Sequence, residues 1–402
     1  MRSPALQQAE AAFQSGRAGE ARNILREAAS TGDAAAAYSL AVALAYGQGG
    51  EIDLPASASL LAEIRDRLPA ARMFHRFALA QGWDGISGWE AALADLMNAA
   101  RAGDPTAQRE AGLLALLCRR EDAALALLGP IAAKGDMPAA MALMRLGRAG
   151  GGQPWLTSAT AKLKRARHPL AEELAACAEA EKPLPGPAMI DWDALAIDLT
   201  EEPPLPGART LVEEISAMAF PGALPPAVGD HVLTSGLKAL QPSTIVDETT
   251  GQRTRDPHRQ SLSMTFAPHL QDLVHVAVER LMARMADCPA SHTERLNLLF
   301  YRPGEQYRPH VDYFAPDDGG GAREIERAGQ RVATSLICLH AATGGGATRF
   351  VRFATDWNGA SGDGLSFRNV RPNGDIEPLS LHQGEKVTNG WKALASLWIR
   401  DR

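Results

Sequence analysis

The sequence predicts a multidomain α plus β protein, with helices in its first part and strands in its last part. Residues 1 to about 150 are rich in alanine, contain few β-branched residues and place apolar residues at helical spacing. Later segments such as 296–301 and 334–339 are short apolar runs of the kind found in strands. We therefore expect a helical domain over 1–150, a helical segment and Pro-rich linker over 151–206, and a strand-rich domain over 207–402.

The helical part contains a turn signal that recurs. Gly-Asp follows similar alanine-rich segments at residues 32–33, 103–104 and 135–136, which indicates a unit of about 35 residues with one degenerate copy. Glycine ends one helix and aspartate caps the next. Residues 32–49 resemble a Sel1-like repeat of the tetratricopeptide type, which implies a solenoid of αα-hairpins. A generic helical bundle is the alternative, because alanine-rich helix pairs also occur in folds without repeats.

The composition argues against several classes of function. The net charge is −6, with 46% hydrophobic and 22% charged residues, and no basic excess suggests a nucleic-acid partner. The N-terminus lacks an apolar leader and no run of eighteen apolar residues occurs, so we expect a cytoplasmic protein without a membrane partner. The four cysteines form no CxxC pair, which speaks against a disulfide framework and a zinc cluster.

The strand-rich part contains a candidate metal site. His310 and Asp312 are two residues apart on a predicted strand, so their side chains point to the same face. His382 follows 72 positions after His310, and Lys392 follows ten positions later. Two histidines and one carboxylate on one side of a metal are typical of a non-heme Fe(II) centre that activates O2.

The segments around these residues carry a family resemblance. The matching segments are 301–314, 329–336, the turn 344–348, 382–398 and the hairpin 242–261. Together they resemble the prolyl 4-hydroxylase family of Fe(II)/2-oxoglutarate oxygenases over about residues 210–402. In the hairpin, Gln260 stands where the family usually has threonine.

The resemblance implies a fold and a set of roles. The fold would be a double-stranded β-helix, also called a jelly roll, with supporting helices. The catalytic residues and metal ligands would be His310, Asp312 and His382. The far carboxylate of 2-oxoglutarate would bind Lys392, Tyr301 and Thr334, and the substrate would contact Tyr307, Trp398 and Arg259.

The reaction implied by the resemblance couples decarboxylation of 2-oxoglutarate, to succinate and CO2, with hydroxylation of a C–H bond. Fe(II), 2-oxoglutarate and O2 would be required, with ascorbate as reductant. We expect the substrate to be a prolyl residue in a protein or peptide, recognised with help from the helical repeats. The alternatives are a hydroxylase of a free amino acid or other small molecule, and a Sel1-type scaffold whose oxygenase domain is inactive.

Two segments beside the metal site are candidates for a lid. Residues 319–327 read as a polar loop with glycine hinges directly after the metal strand, and residues 256–263 belong to the matched hairpin. We expect both to close over a bound substrate chain.

Overall fold

The computed structural model describes residues 3–148, 153–179, 182, 190–243, 245–246, 253–254, 258–317 and 319–402. The chain divides into two compact units. The first unit comprises Met1–Glu110, Trp192–Thr200 and Ala267–Val276, and the second comprises Ala111–Asp191, Glu201–Phe266 and Ala277–Arg402. The domain boundaries expected near residues 150 and 206 stay predictions.

Helices dominate the part of the described chain that precedes the first strand, as predicted. Within the described residues, none of the helices combines the length and apolar character that crossing a membrane requires. The helices are α1 Pro4–Gln14, α2 Ala18–Ser30, α3 Ala34–Ala45, α4 Leu54–Ile64, α5 Pro69–Ala80, α6 Trp89–Arg101, α7 Pro105–Leu117, α8 Glu121–Ala133, α9 Met137–Arg145, α10 Pro154–Arg165, α11 Ala171–Ala178, α12 Trp192–Thr200, α13 Pro226–Gly236, α14 Leu273–Met285 and α15 Gly319–Ala328.

The Gly-Asp turns have the structure that the sequence predicts. Asp33, Asp104 and Asp136 each accept hydrogen bonds from backbone N–H groups two or three residues further on, at 2.8–3.1 Å. The glycine before each aspartate has a positive φ of 90–95°, which ends the preceding helix. Helix α5 lies at the place of the degenerate copy. It begins with Pro69, a residue favoured in the first turn of a helix, and has no side-chain cap.

The strands of the second unit form two larger antiparallel sheets. The major sheet has the order β1-β2-β13-β9-β16-β7-β6-β3, and the minor sheet has the order β12-β11-β14-β8. The strands are β1 Arg209–Val212, β2 Ala217–Phe220, β3 Gln241–Pro242, β4 Ile245–Val246, β5 Arg253–Thr254, β6 Leu262–Thr265, β7 Asn297–Tyr301, β8 Tyr307–His310, β9 Arg331–His340, β10 Gly344–Gly345, β11 Thr348–Phe350, β12 Thr355–Trp357, β13 Gly364–Arg368, β14 His382–Gly384, β15 Val387–Asn389 and β16 Lys392–Arg400.

Alternation along the strands separates a core face from a cavity face. On β16 the residues at even positions, from Lys392 to Trp398, line one cavity. The intervening residues, from Ala393 to Ile399, are buried on the opposite face of the major sheet. On that opposite face, Ser335 of β9 donates a hydrogen bond to the Met282 carbonyl of α14, which fixes this helix against the sheet.

Residues 319–327, which we predicted to be a loop, form helix α15, so the loop assignment was wrong. The guanidinium of Arg402 donates to the carbonyls of Ile325 and Glu326 at 2.7 and 3.1 Å, and so satisfies the end of the helix. Gly321 permits close packing, because a Cβ at this position would collide with the Ala315 carbonyl oxygen. Of the second candidate lid segment, residues 256–257 lie outside the described residues.

Candidate functional site

The pairing of two strands of the minor sheet brings the predicted metal ligands together. His382 of β14 and His310 of β8 are direct Cα partners, and Asp312 follows two residues after His310. The Nε2 atoms of His310 and His382 lie 3.8 and 3.7 Å from the two carboxylate oxygens of Asp312. Each of the three residues offers one potential ligand atom, and these three atoms lie within 4.8 Å of one another.

Both imidazoles are held by the backbone in the orientation that a metal requires. The Nδ1 of His310 lies 2.9 Å from the Arg308 carbonyl oxygen, and the Nδ1 of His382 lies 3.0 Å from the Ser380 carbonyl oxygen. Because a carbonyl only accepts, each Nδ1 carries the proton, and each Nε2 presents its lone pair. Burial lowers the pKa of His310 to about 3, and the neighbouring His382 adds to this effect, so His310 is a neutral ligand.

Asp312 is oriented by a hydrogen-bonded pair behind it. Burial alone would raise the pKa of Asp312, but its neighbours, above all His382 and His310, outweigh burial and lower the pKa. The hydroxyl of Thr334 donates to Asp312 Oδ2 at 2.7 Å, and the amide of Asn369 donates to Thr334 Oγ1 at 2.9 Å. Thr334 therefore supports the metal ligand. The sequence placed Thr334 beside Lys392 instead, and the structure does not bring these two residues together.

Lys392 is a buried cation at the other end of the cavity. Its ammonium group donates to the Gly346 carbonyl and lies 3.5 Å from Thr348 Oγ1. Among the described residues, no carboxylate lies within ion-pair distance of it. Burial lowers the pKa of Lys392 to about 8. Thr348 occupies the place that we expected for Thr334, and its position at the end of the matched turn 344–348 was the signal that could have identified it.

Tyr301 lies opposite Lys392 on the neighbouring strand β7, so the two side chains share the cavity face. Burial raises the pKa of Tyr301, and its hydroxyl is hydrogen-bonded to the Ser261 side chain. The structure thus places Tyr301 beside the end of the cavity that Lys392 defines.

Aromatic and cationic side chains form the part of the cavity near the histidines. The ring of Tyr307 stacks on His310 with a centroid distance of 3.5 Å, and the Arg259 guanidinium lies 5.1 Å from the Tyr307 ring centre. The Arg331 guanidinium lies 4.0 Å from the Trp398 ring centre. All nine residues assigned from the sequence line this one cavity.

A charged cluster that the sequence did not reveal holds Arg331, which lies over the Trp398 ring in this part of the cavity. Glu294 accepts two hydrogen bonds from Arg331 at 2.6 and 2.9 Å, and a third from Arg400 at 2.7 Å. Both guanidinium groups also lie within 5 Å of the Phe314 ring centre. The cluster joins positions 294, 331 and 400, which no local spacing connects, so only the fold shows it.

The residues present fit Fe(II) together with a dicarboxylic 2-oxo acid. Two imidazole nitrogens and a carboxylate on one side of a point match the donor set of non-heme Fe(II) sites. A buried ammonium without a carboxylate partner among the described residues requires an anion for compensation. Lys392 and the three candidate ligands line the same cavity, so one molecule that carries two acidic groups can reach both ends.

Comparisons with known sequences agree with this interpretation of the second half. Residues 296–400 match the sequence model of the 2OG-Fe(II) oxygenase superfamily. Prolyl 4-hydroxylase 5 of Arabidopsis thaliana is 30% identical over 189 residues, which cover 42% of this chain and 63% of the relative. Probable prolyl 4-hydroxylase 3 of the same plant is 32% identical and is covered to 64%. The chain thus spans just under two thirds of the length of these relatives.

Solved structures also match part of the chain. A viral collagen prolyl hydroxylase from Paramecium Bursaria Chlorella virus-1, in its 2OG complex, is 23% identical with a TM-score of 0.37, over 46% of this chain and 95% of that chain. A Pseudomonas putida prolyl-4-hydroxylase is 17% identical with a TM-score of 0.33, over 47% and 94% of the two chains.

Thr334→Val is expected to weaken metal binding by about 10- to 100-fold, because Asp312 loses the hydroxyl that orients it. Thr348→Val is the matched control, since the same change is made beside Lys392. It should leave the affinity for Mn²⁺, an inert substitute for Fe(II), unchanged and weaken binding of N-oxalylglycine, an inert analogue of 2-oxoglutarate. Isothermal titration calorimetry measures both ligands. Equal losses of Mn²⁺ affinity in the two variants would contradict the assignment of Thr334 to Asp312.

The affinity for N-oxalylglycine is expected to be constant below pH 8 and to fall above it. The pKa of Lys392 is about 8 without an anion, and a bound carboxylate favours the charged form and raises this pKa. Binding above pH 8 therefore takes up a proton, and the affinity falls by up to about tenfold per pH unit. Titrations of the Mn²⁺-loaded protein between pH 7 and 9 measure this, with Lys392→Arg as the control whose affinity stays independent of pH. A flat profile in the unaltered protein would refute the role of Lys392.

Proposed function

We propose that this chain is an Fe(II)- and 2-oxoglutarate-dependent dioxygenase that hydroxylates a prolyl residue of a protein or peptide and releases succinate and CO2. One observation carries the proposal. A cluster of two oriented imidazoles and a carboxylate shares its cavity with a buried lysine that lacks a carboxylate partner among the described residues. The sequence relatives named prolyl 4-hydroxylases support the choice of a prolyl substrate.

Each group of the cavity has a defined task in this reaction. His310, Asp312 and His382 would hold Fe(II), which supplies O2 activation when it is bound. Lys392 would bind the far carboxylate of 2-oxoglutarate, and the Thr348 hydroxyl, whose oxygen accepts from Lys392, would donate its proton to the same carboxylate. Because both ends of the 2-oxo acid are fixed, its reacting end stays close to the metal ligands, and this orientation lowers the entropic part of the barrier.

The aromatic end of the cavity is the proposed position of the substrate. Trp398 has a buried Nε1–H with no acceptor among the described residues, and this donor can bind a substrate carbonyl. Its ring is fixed by Arg331, which Glu294 holds through two hydrogen bonds. Tyr307 packs against His310 and supplies an apolar surface for a proline ring next to the metal.

The remaining expectations complete the proposal. The two facing sheets are the proposed double-stranded β-helix, and the helices with Gly-Asp turns are the proposed Sel1-type repeats. We infer that these repeats help to recognise the protein substrate and that ascorbate serves as reductant. The cytoplasmic location expected from the composition stays a prediction.

His310→Ala is expected to abolish succinate formation, because one of the three metal ligands is lost. The measurement combines succinate detection with mass spectrometry of proline-containing peptides and of host proteins, which should gain one oxygen atom only with the active protein. His292→Ala is the control, since this histidine lies outside the cavity, and it should retain full activity. Turnover by His310→Ala equal to that of the unaltered protein would refute the proposed function.

Removal of residues 1–102 tests the proposed recognition role of the helices. The deletion keeps Asp104, which caps α7, and the whole second unit, and circular dichroism checks that the retained Trp192–Thr200 and Ala267–Val276 of the first unit do not unfold it. Succinate formation without substrate should persist, and a short proline peptide should react as before. For the protein target, kcat/KM should fall by about tenfold or more, because contacts remote from the reacting bond are lost. An unchanged kcat/KM for the protein target would show that these helices have another role.

A further inference from the structure

Three charged side chains and a histidine form a continuous chain within the second unit. Arg145 of α9 binds Asp230 of α13 through two hydrogen bonds of 2.7 and 3.0 Å. The same guanidinium contacts Glu173 of α11, and Glu173 Oε2 lies 3.1 Å from the Nε2 of His340, the last residue of β9. This chain connects three helices to one end of the major sheet.

His340 is the link between this chain and the backbone beside Lys392. Its Nδ1 lies 3.0 Å from the carbonyl oxygen of Trp391, the residue that precedes Lys392. A carbonyl only accepts, so Nδ1 donates to it, and the opposite ring nitrogen, Nε2, faces the Glu173 carboxylate. The hydrogen bond from His340, reinforced by Arg145, lowers the pKa of Glu173 to about 2 and keeps it ionised.

Gly390 and Trp391, the two residues before Lys392, are themselves held rigidly. The ring of His340 stacks on Trp391 with a centroid distance of 3.5 Å and an angle of 7°, and Trp391 also stacks with Phe300 at 5.1 Å. Gly390 has a φ of 71°, and a Cβ at this residue would lie 2.8 Å from Thr343 Oγ1. The backbone that leads into Lys392 is therefore fixed by packing on both of the residues before it.

The energetics indicate a positional role for the charged chain. Arg145 and Asp230 have side chains that are only 9% and 3% exposed. A buried ion pair contributes little net stability, because desolvation of both groups offsets their attraction. Its directional hydrogen bonds, by contrast, fix the geometry of the groups that it joins. At the end of the chain, the group whose geometry is fixed is the peptide between Trp391 and Lys392.

We propose that His340 is a positioning residue for the 2-oxo acid, which with Glu173 and Arg145 holds the start of β16 so that Lys392 faces the cavity. The proposal rests on the proposed function of Lys392. Its consequence is that helices α9 and α11 contribute to the affinity for 2-oxoglutarate, although neither lines the cavity. A displacement of α11 would weaken binding of this co-substrate and leave the metal ligands in place.

The test uses the full chain with His340→Ala, His340→Asn and Glu173→Ala. His340→Ala and Glu173→Ala should weaken N-oxalylglycine binding to the Mn²⁺-loaded protein by about tenfold and raise the KM for 2-oxoglutarate to a similar extent. The kcat at saturating 2-oxoglutarate and the affinity for Mn²⁺ should each stay within about twofold, because the metal ligands are not touched. His340→Asn keeps a donor for the Trp391 carbonyl and should recover most of the binding.

Glu121→Ala is the matched control. It removes an exposed ion pair with Arg148, which is 2.7 Å long and belongs to the same group of helices, and it should change none of these values. Unchanged N-oxalylglycine affinity in His340→Ala and Glu173→Ala would overturn the inference. An equal loss of Mn²⁺ affinity would also overturn it, because that result indicates general damage. If the unaltered protein bound no N-oxalylglycine, the proposed function itself would fail.

Discussion

The pairing of β8 with β14 is the constraint on which the site depends. It makes His310 and His382 direct partners, and each imidazole is fixed by the carbonyl two residues before it. Because side chains alternate along a strand, a slip of one residue would turn one imidazole out of the cavity. Asp312 lies two residues after His310, just beyond the end of β8, and the hydroxyl of Thr334 fixes its carboxylate there. The metal site is thus a property of strand register first and of side-chain chemistry second.

Burial has a different consequence at each end of the cavity, where His310 and Lys392 lie. The same exclusion of water lowers the pKa of His310 to about 3 and the pKa of Lys392 to about 8. The first effect favours metal binding, because a neutral imidazole keeps its lone pair. The second effect reflects the cost of burying the Lys392 cation without a carboxylate partner among the described residues. A ligand with a carboxylate at its far end relieves this cost, which explains why one cavity suits a metal and a dicarboxylate together.

The sequence was sufficient for residues whose arrangement follows from alternation, and insufficient where register or distant contacts decide. The two-residue spacing of His310 and Asp312 predicts a shared face, and the structure places both residues in one cavity. Thr334 and Thr348 both face this cavity, but the pairing of Thr334 with Trp398 puts Thr334 far along the strands from Lys392. Helix α15 was mistaken for a loop because Arg402, which satisfies its last carbonyls, lies more than seventy residues away. Neither contact leaves a local pattern.

The row of charged side chains that runs from Asp230 to His340 bears on how the polypeptide is divided into units. Composition changes near residue 150, whereas the second compact unit already begins at Ala111. The buried Arg145–Asp230 pair shows the physical reason, because loss of Arg145 would leave Asp230 as an uncompensated buried charge, at a cost of about 3–5 kcal/mol. Helix α9 is therefore needed by the second unit, because its Arg145 compensates the buried charge of Asp230. A cut at the expected domain start near Gly207 would remove this support, so the proposed recognition role is assigned to helices before Ala111.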